Sequence, residues 1–161
     1  HSIRRRQRQM CIRDSIMTRV SFYKLAGDQN LALALTCKLV EKARLSNQQV
    51  LCQMPNQDAA ESLNDKLWSF SKTSFIPHGL GSQSQPVAIS TDATPGEHYQ
   101  LLINLDASRP SWFSRFERVI EIIHAEPTYQ QAKRDSFSFY KDRGYALEFF
   151  DLSDKFVNSG I

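Results

Sequence analysis

Short apolar runs alternate with stretches of helical period along this chain, and that alternation limits its fold more than any other feature. Arg19 to Tyr23 sets Val20 and Phe22 between polar neighbours, as a strand does. Asp28 is placed to cap the next segment, where Leu31, Leu35 and Leu39 recur every four residues beside Ala34 and Ala43, an amphipathic helix. Ser46-Asn47 ends it. Val50, Leu51, Cys52 and Met54 form a second strand, closed by Pro55-Asn56. Asp58 and Glu61 have capping-box spacing ahead of Ala60, Leu63 and Leu67, which share one face of a helix ending at Leu67-Trp68. Strands that alternate with helices predict an α/β fold, a three-layer sandwich with a mostly parallel central sheet and right-handed crossovers.

The second half continues the pattern. Pro77 biases Ile76 toward extended backbone and discourages an ordinary internal strand, so Ser74 to His78 presents Phe75 beside a residue that cannot donate a ladder bond. Gly79 to Gln85 is small and polar, a predicted loop. Pro86 to Thr91 reads as a strand, Asp92 to His98 as a turn, and Leu101 to Leu105 as a buried strand. Ser111 is placed to cap a predicted helix whose stripe is Phe113, Phe116, Ile120 and Ile123. Pro127 suits the first turn of the last helix and Gly144 its C-terminal cap; Tyr145 to Asp151 is a final strand or extended tail.

The 161 residues suit one domain with a real core. The net charge is +3, but residues 1–16 hold five arginines against one aspartate, so residues 17–161 come to −1. That first stretch has no helical or strand period and no apolar run of signal-peptide type. An Arg-rich leader of this kind reads as a transit peptide or nucleic-acid arm, or, more plainly, as sequence ahead of a true start at Met17. The expected division is therefore a non-native or disordered leader over 1–16, one α/β domain over 17–152 and a tail over 153–161. Cys11, Cys37 and Cys52 lack metal-ligand spacing; Cys37 and Cys52 fall in apolar patterns, as buried reduced thiols do. With neither a signal peptide nor a membrane span in view, a cytoplasmic location is expected.

Catalytic chemistry is hard to find. The phosphate-cradling G-x-x-x-x-G-K-[ST] is absent, and Gly79-Leu80-Gly81 follows Pro77-His78 rather than a strand, with Ser84 where a third glycine belongs. His78, His98 and His124 lie in separate connections, with no spacing that would hold zinc. There is no G-x-S-x-G elbow. No catalytic residue, metal or cofactor is expected.

One order of motifs is more specific. Val20-Ser21-Phe22-Tyr23, then Leu67-Trp68, Ser74-Phe75-x-Pro77-His78, the strands at Pro86 and Leu101, and Tyr140-Lys141-x-Arg143-Gly144-Tyr145 resemble the chi subunit of bacterial DNA polymerase III over roughly Met17 to Leu152. The resemblance implies a Rossmann-like fold and a non-catalytic replisome adaptor. It implies that the last helix and the preceding helix end bind the acidic C-terminal tail of single-stranded DNA-binding protein. Arg134 would hold a carboxylate, Phe137 would flank the terminal phenylalanine of the tail, Lys141 would add a cation and Ile123 a pocket wall. Gln130 and Ser138 stand where better-known members carry lysines, and Lys133 is expected to compensate in part. By the same resemblance Phe75, Ile76, Pro77 and His78 would meet the psi subunit, which tethers chi to the clamp loader.

The residues themselves leave a plainer alternative open. Lys133, Phe137 and Lys141 share a stripe at spacing four, but Phe137 and Tyr140 facing the core beneath a solvated cation face fits as well. Phe75 could likewise plug the core. Two further functions stay open: a small hydrolase with a Cys or Ser site assembled in space, and a direct single-stranded nucleic-acid-binding module. Arg109, Arg115 and Arg118 interleave with Trp112, Phe113 and Phe116, but Phe113 and Phe116 fit a core stripe, which leaves Trp112 beside Arg109.

Overall fold

A computed structural model describes residues 18–70, 77–83 and 86–153. The leader over 1–16, Phe75 and Ile76, and nearly all of the tail lie outside them. Seven strands form one sheet: β1 Arg19–Lys24, β2 Val50–Gln53, β3 His78–Leu80, β4 Val87–Ser90, β5 Leu101–Asn104, β6 Arg118–Ile123 and β7 Ala146–Asp151. Their spatial order is β3-β4-β2-β5-β6-β1-β7, and every pairing is parallel. Helices α1 (Gln29–Leu45), α2 (Gln57–Phe70) and α3 (Pro127–Asp142) complete the layers.

Two cores explain why the inner strands read as continuous apolar runs: each strand is covered on both faces. On one side α1 and α2 pack Leu33, Val40, Leu63 and Leu67 against Cys52, Ile89, Ile103 and Ile122. On the other, Tyr140 of α3 meets Val20, Phe22, Leu102 and Val119, with Phe113 and Phe116. Asp28 caps α1 through a bond from the Leu31 amide, as its sequence position suggests. The capping-box reading of Asp58 and Glu61 gives way to Asn56, whose Oδ1 accepts from the Ala59 amide at 2.8 Å.

The helix expected from Ser111 through Ile123 is absent. A three-residue 3₁₀ turn at Phe113–Arg115 precedes β6. Val119, Ile120, Ile122 and Ile123 are β-branched and favour the strand. Their burial is two-sided, since Ile120 and Ile122 join the α1–α2 core while Val119 and Ile123 join the α3 core. The apparent helical stripe was a coincidence of a strand buried on both faces. The loop expected over 79–85 also begins as a strand: β3 pairs His78 with Val87 and Leu80 with Ile89. It sits at the sheet edge, where a preceding proline is tolerated.

Candidate functional site

Glu126 starts α3 by accepting from the Thr128 and Tyr129 amides at 3.1 and 2.7 Å. Those two bonds hold its carboxyl below the ordinary carboxylate range. The helix then crosses back over the sheet, burying Tyr129, Lys133, Ser136 and Tyr140 and leaving Arg134 and Lys141 in solvent.

Between α3 and the β6-β1-β7 end of the sheet lies a cavity of about 370 Å³, lined by Lys24, Ile123, Gln130, Lys133, Arg134, Phe137, Ser138 and Phe149. Parallel register brings Lys24 opposite Ile123. Phe137 sets its ring edge-on to Phe22 at 5.2 Å and to Phe149 at 6.2 Å. Phe149 is 50% exposed, a large ring left half open beside an apolar hollow. The Arg134 guanidinium has one long contact, 3.5 Å to Gln131 Oε1, so most of its donors stay available. Apolar walls with Arg134 and Lys24 among them can take an apolar side chain that carries a carboxylate nearby.

The expected tail-binding residues separate into three groups. Ile123, Arg134 and Phe137 line the cavity together. Lys133 and Tyr140 are fully buried, and their polar ends point into the protein. The Lys133 ammonium pairs with Glu121 Oε1 and donates to the Asp106 and Asn104 carbonyls at 2.7 and 3.3 Å. The Tyr140 hydroxyl donates to Glu121 Oε2 at 2.8 Å, and Asn104 Nδ2 donates to Oε1 at 3.1 Å. Lys133 therefore offers the cavity only its flank, and the idea that it compensates for missing surface lysines is corrected by this ion pair. Lys141 is exposed but outside the lining. Gln130 and Ser138 do face the cavity. Lys24 and Phe149 escaped sequence reasoning, because nothing local shows that β1 and β7 are neighbours.

Of the expected second surface, Pro77 is exposed and His78 half-buried on β3. The His78 ring lies 4.3 Å from the Trp68 ring, and its Nε2 is 3.2 Å from the Asn64 carbonyl. Trp68, 53% exposed, and Leu80, 43% exposed, extend this patch, which stands at the opposite sheet edge from the cavity.

The crevice where nucleotides bind in open α/β sheets, outside the carboxyl ends of the strands, is also present, lined by Asp28, Asn56, Leu105, His124, Glu126 and Tyr129. Its three helix N-termini already bond their own caps, Asp28, Asn56 and Glu126. A phosphate there would meet two carboxylates instead of free amides. Burial pushes the Cys37 thiol up to about 12 and the Cys52 thiol higher still, so both are poor nucleophiles at neutral pH. Among the described residues, no group of three or more His, Cys, Asp or Glu is placed to hold a metal, and no helix is long and apolar enough to cross a membrane.

Comparison with known proteins bears on the same fold. The sequence model of the family described as DNA polymerase III chi subunit, HolC, matches residues 17–148. The DNA polymerase III subunit chi of Pseudomonas aeruginosa is 39% identical over 135 residues, covering 82% of this chain and 95% of that protein. The subunit chi of Escherichia coli is 24% identical over 141 residues, 81% of this chain and 96% of its own. That of Haemophilus influenzae is 23% identical over 132 residues, 78% and 92% respectively.

Proposed function

Because this chain belongs to the DNA polymerase III chi subunit family, we propose that it is a non-catalytic cytoplasmic adaptor that links single-stranded DNA-binding protein to the psi subunit and the clamp loader. The acidic C-terminal tail of single-stranded DNA-binding protein occupies the α3 cavity. Its terminal ring packs between Ile123, Phe137 and Phe149, and Arg134 takes the carboxylate, with Lys24 as a second cation. The observation that carries this reading is the meeting of a half-open apolar hollow with an under-used guanidinium.

The psi subunit meets the β3 edge, around Pro77, His78, Trp68 and Leu80, with Phe75 and Ile76 next to them in sequence. An adaptor of this kind acts by tethering, because a tail held in the cavity raises the local concentration of the clamp loader near its template. Gln130 and Ser138 in the cavity lining leave fewer cations there than lysines would, which lowers the salt-dependent part of the affinity.

Titration of the chain with a labelled acidic peptide ending in Pro-Phe carboxylate tests this directly. Micromolar binding is expected, at least tenfold weaker for the amidated peptide and for Arg134→Ala. Equal affinity for all three, or no binding by folded protein, overturns the assignment.

A further inference from the structure

On the far side of α3 from the cavity, two guanidinium groups from different elements meet one ring. Phe139 is two residues from Phe137, about 200° around the helix. The Arg109 guanidinium, from the connection after β5, lies 3.5 Å from the Phe139 ring centroid. The Arg143 guanidinium, from the cap of α3, lies 4.4 Å from the same centroid. Among the described residues neither one donates to any acceptor, and the ion pair found there is Lys133–Glu121. The α3 carbonyl ends attract Arg143. They do not account for Arg109, half-buried and delivered by another segment with its five donors unused. Holding two like charges on one ring costs energy that the ring quadrupole offsets only in part.

An oxyanion on each guanidinium would offset the rest, and the guanidinium fork matches phosphate oxygens two at a time. The neighbouring groups indicate what carries the phosphate. Trp112 is half-exposed; its indole N–H is held by the Ala93 carbonyl at 2.6 Å and its ring rests 5.9 Å from Phe116. Trp112, Phe139 and Tyr145 each pack, partly buried, against the α3 core, Phe139 and Tyr145 through Phe113 and Trp112 through Phe116. Flat ring faces beside paired guanidiniums suit bases on a flexible sugar-phosphate chain, whereas an acidic peptide gains little from them.

We infer that Arg109 and Arg143 each hold a phosphate of single-stranded nucleic acid, with Trp112, three residues on from Arg109, as a stacking face. The contact is small, in keeping with the near-neutral body. Two phosphates correspond to a log–log salt slope of about −1.4.

The test uses the full chain, labelled oligothymidylate at low salt, and NMR of the arginine Nε–H signals. The Arg109 and Arg143 signals are expected to shift on adding oligothymidylate. Arg109→Gln/Arg143→Gln is expected to bind at least fivefold more weakly with a salt slope shallower by about 1.4, while Arg109→Lys/Arg143→Lys, which keeps the charge but loses the fork, restores the slope and only part of the affinity. Binding of the acidic tail peptide is expected to be unchanged in both variants, which also shows that they fold. If the Gln variant binds oligothymidylate as tightly as the parent, the arginines of residues 1–16 carry the binding and the inference fails. If the acidic peptide shifts the two signals and oligothymidylate does not, the surface belongs to a peptide and the inference fails.

Discussion

Lys133 ends in the core, where its amine meets Glu121 and two carbonyls and a tyrosine bonds the far oxygen of that carboxylate. Replacing it by methionine strands the Glu121 carboxylate, so Lys133→Met is expected to lower stability by roughly 3–5 kcal/mol. Lys133→Met/Glu121→Gln should recover much of that loss. Urea unfolding of the three proteins checks both statements. Cys37 and Cys52, free and buried, are expected to resist a thiol reagent at pH 8 until the protein unfolds. Labelling followed by peptide-level mass spectrometry reads this site by site, and fast labelling of Cys37 or Cys52 in the folded chain would revive a reactive-thiol site. At this scale the sequence shows residue type and spacing but not depth. Lys133 and Arg134 are neighbours of the same charge, yet one is sealed in the core and the other lines a cavity. The difference is set by Glu121, twelve residues away on a strand, which no helical spacing reveals.

The ends of α3 are the element-level counterpart. The Glu126 carboxyl titrates below its unfolded value because two amides bond its charged form. Its contribution is therefore complete above the ordinary carboxylate range and lost as pH falls through the lowered value. His124 acts in the same direction: burial lowers its pKa, so unfolding takes up a proton that the folded state refuses. Thermal unfolding between pH 3 and 7 is expected to show Glu126→Gln closest to the parent at the acid end and least stable by comparison near neutrality. At the other end Gly144 has φ +80°, with open space where a Cβ would stand. Gly144→Ala is thus expected to cost about 1 kcal/mol from backbone strain alone, measurable by urea unfolding. Both ends of this helix were legible, since Pro127 and Gly144 act locally. β6 was not, because a run buried on two faces carries no period of two, and its apolar residues matched a helical stripe by chance.

For the whole molecule, the sheet decides what the two proposed protein surfaces can do together. The cavity lies by β1 and β7 and the His78 patch on β3, five to six strand intervals apart, or about 24–29 Å at ordinary spacing. Two partners so placed need not touch. The affinity for the tail peptide is accordingly expected to change less than twofold when psi is bound, as isothermal titration with and without psi would show. A larger change would mean that the sheet transmits strain between its edges. The layered α/β class was readable from the alternation of elements, but the strand order was not. Lys24 and Phe149 reach the cavity only because β1 lies between β6 and β7.

That placement of β1 also governs how the molecule is made. Its ladder partners are Arg118 to Ile123 on one side and Ala146 to Asp151 on the other, so β1, on leaving the ribosome, waits about a hundred residues for its nearest neighbour. Helices α1 and α2 and strands β2 to β5 can collapse while β1 is still unpaired. The cavity by Lys24 comes into being only once residues 146–151 have joined β1, so a chain released before β7 would lack the Phe149 wall and, with it, the proposed seat for a partner's tail.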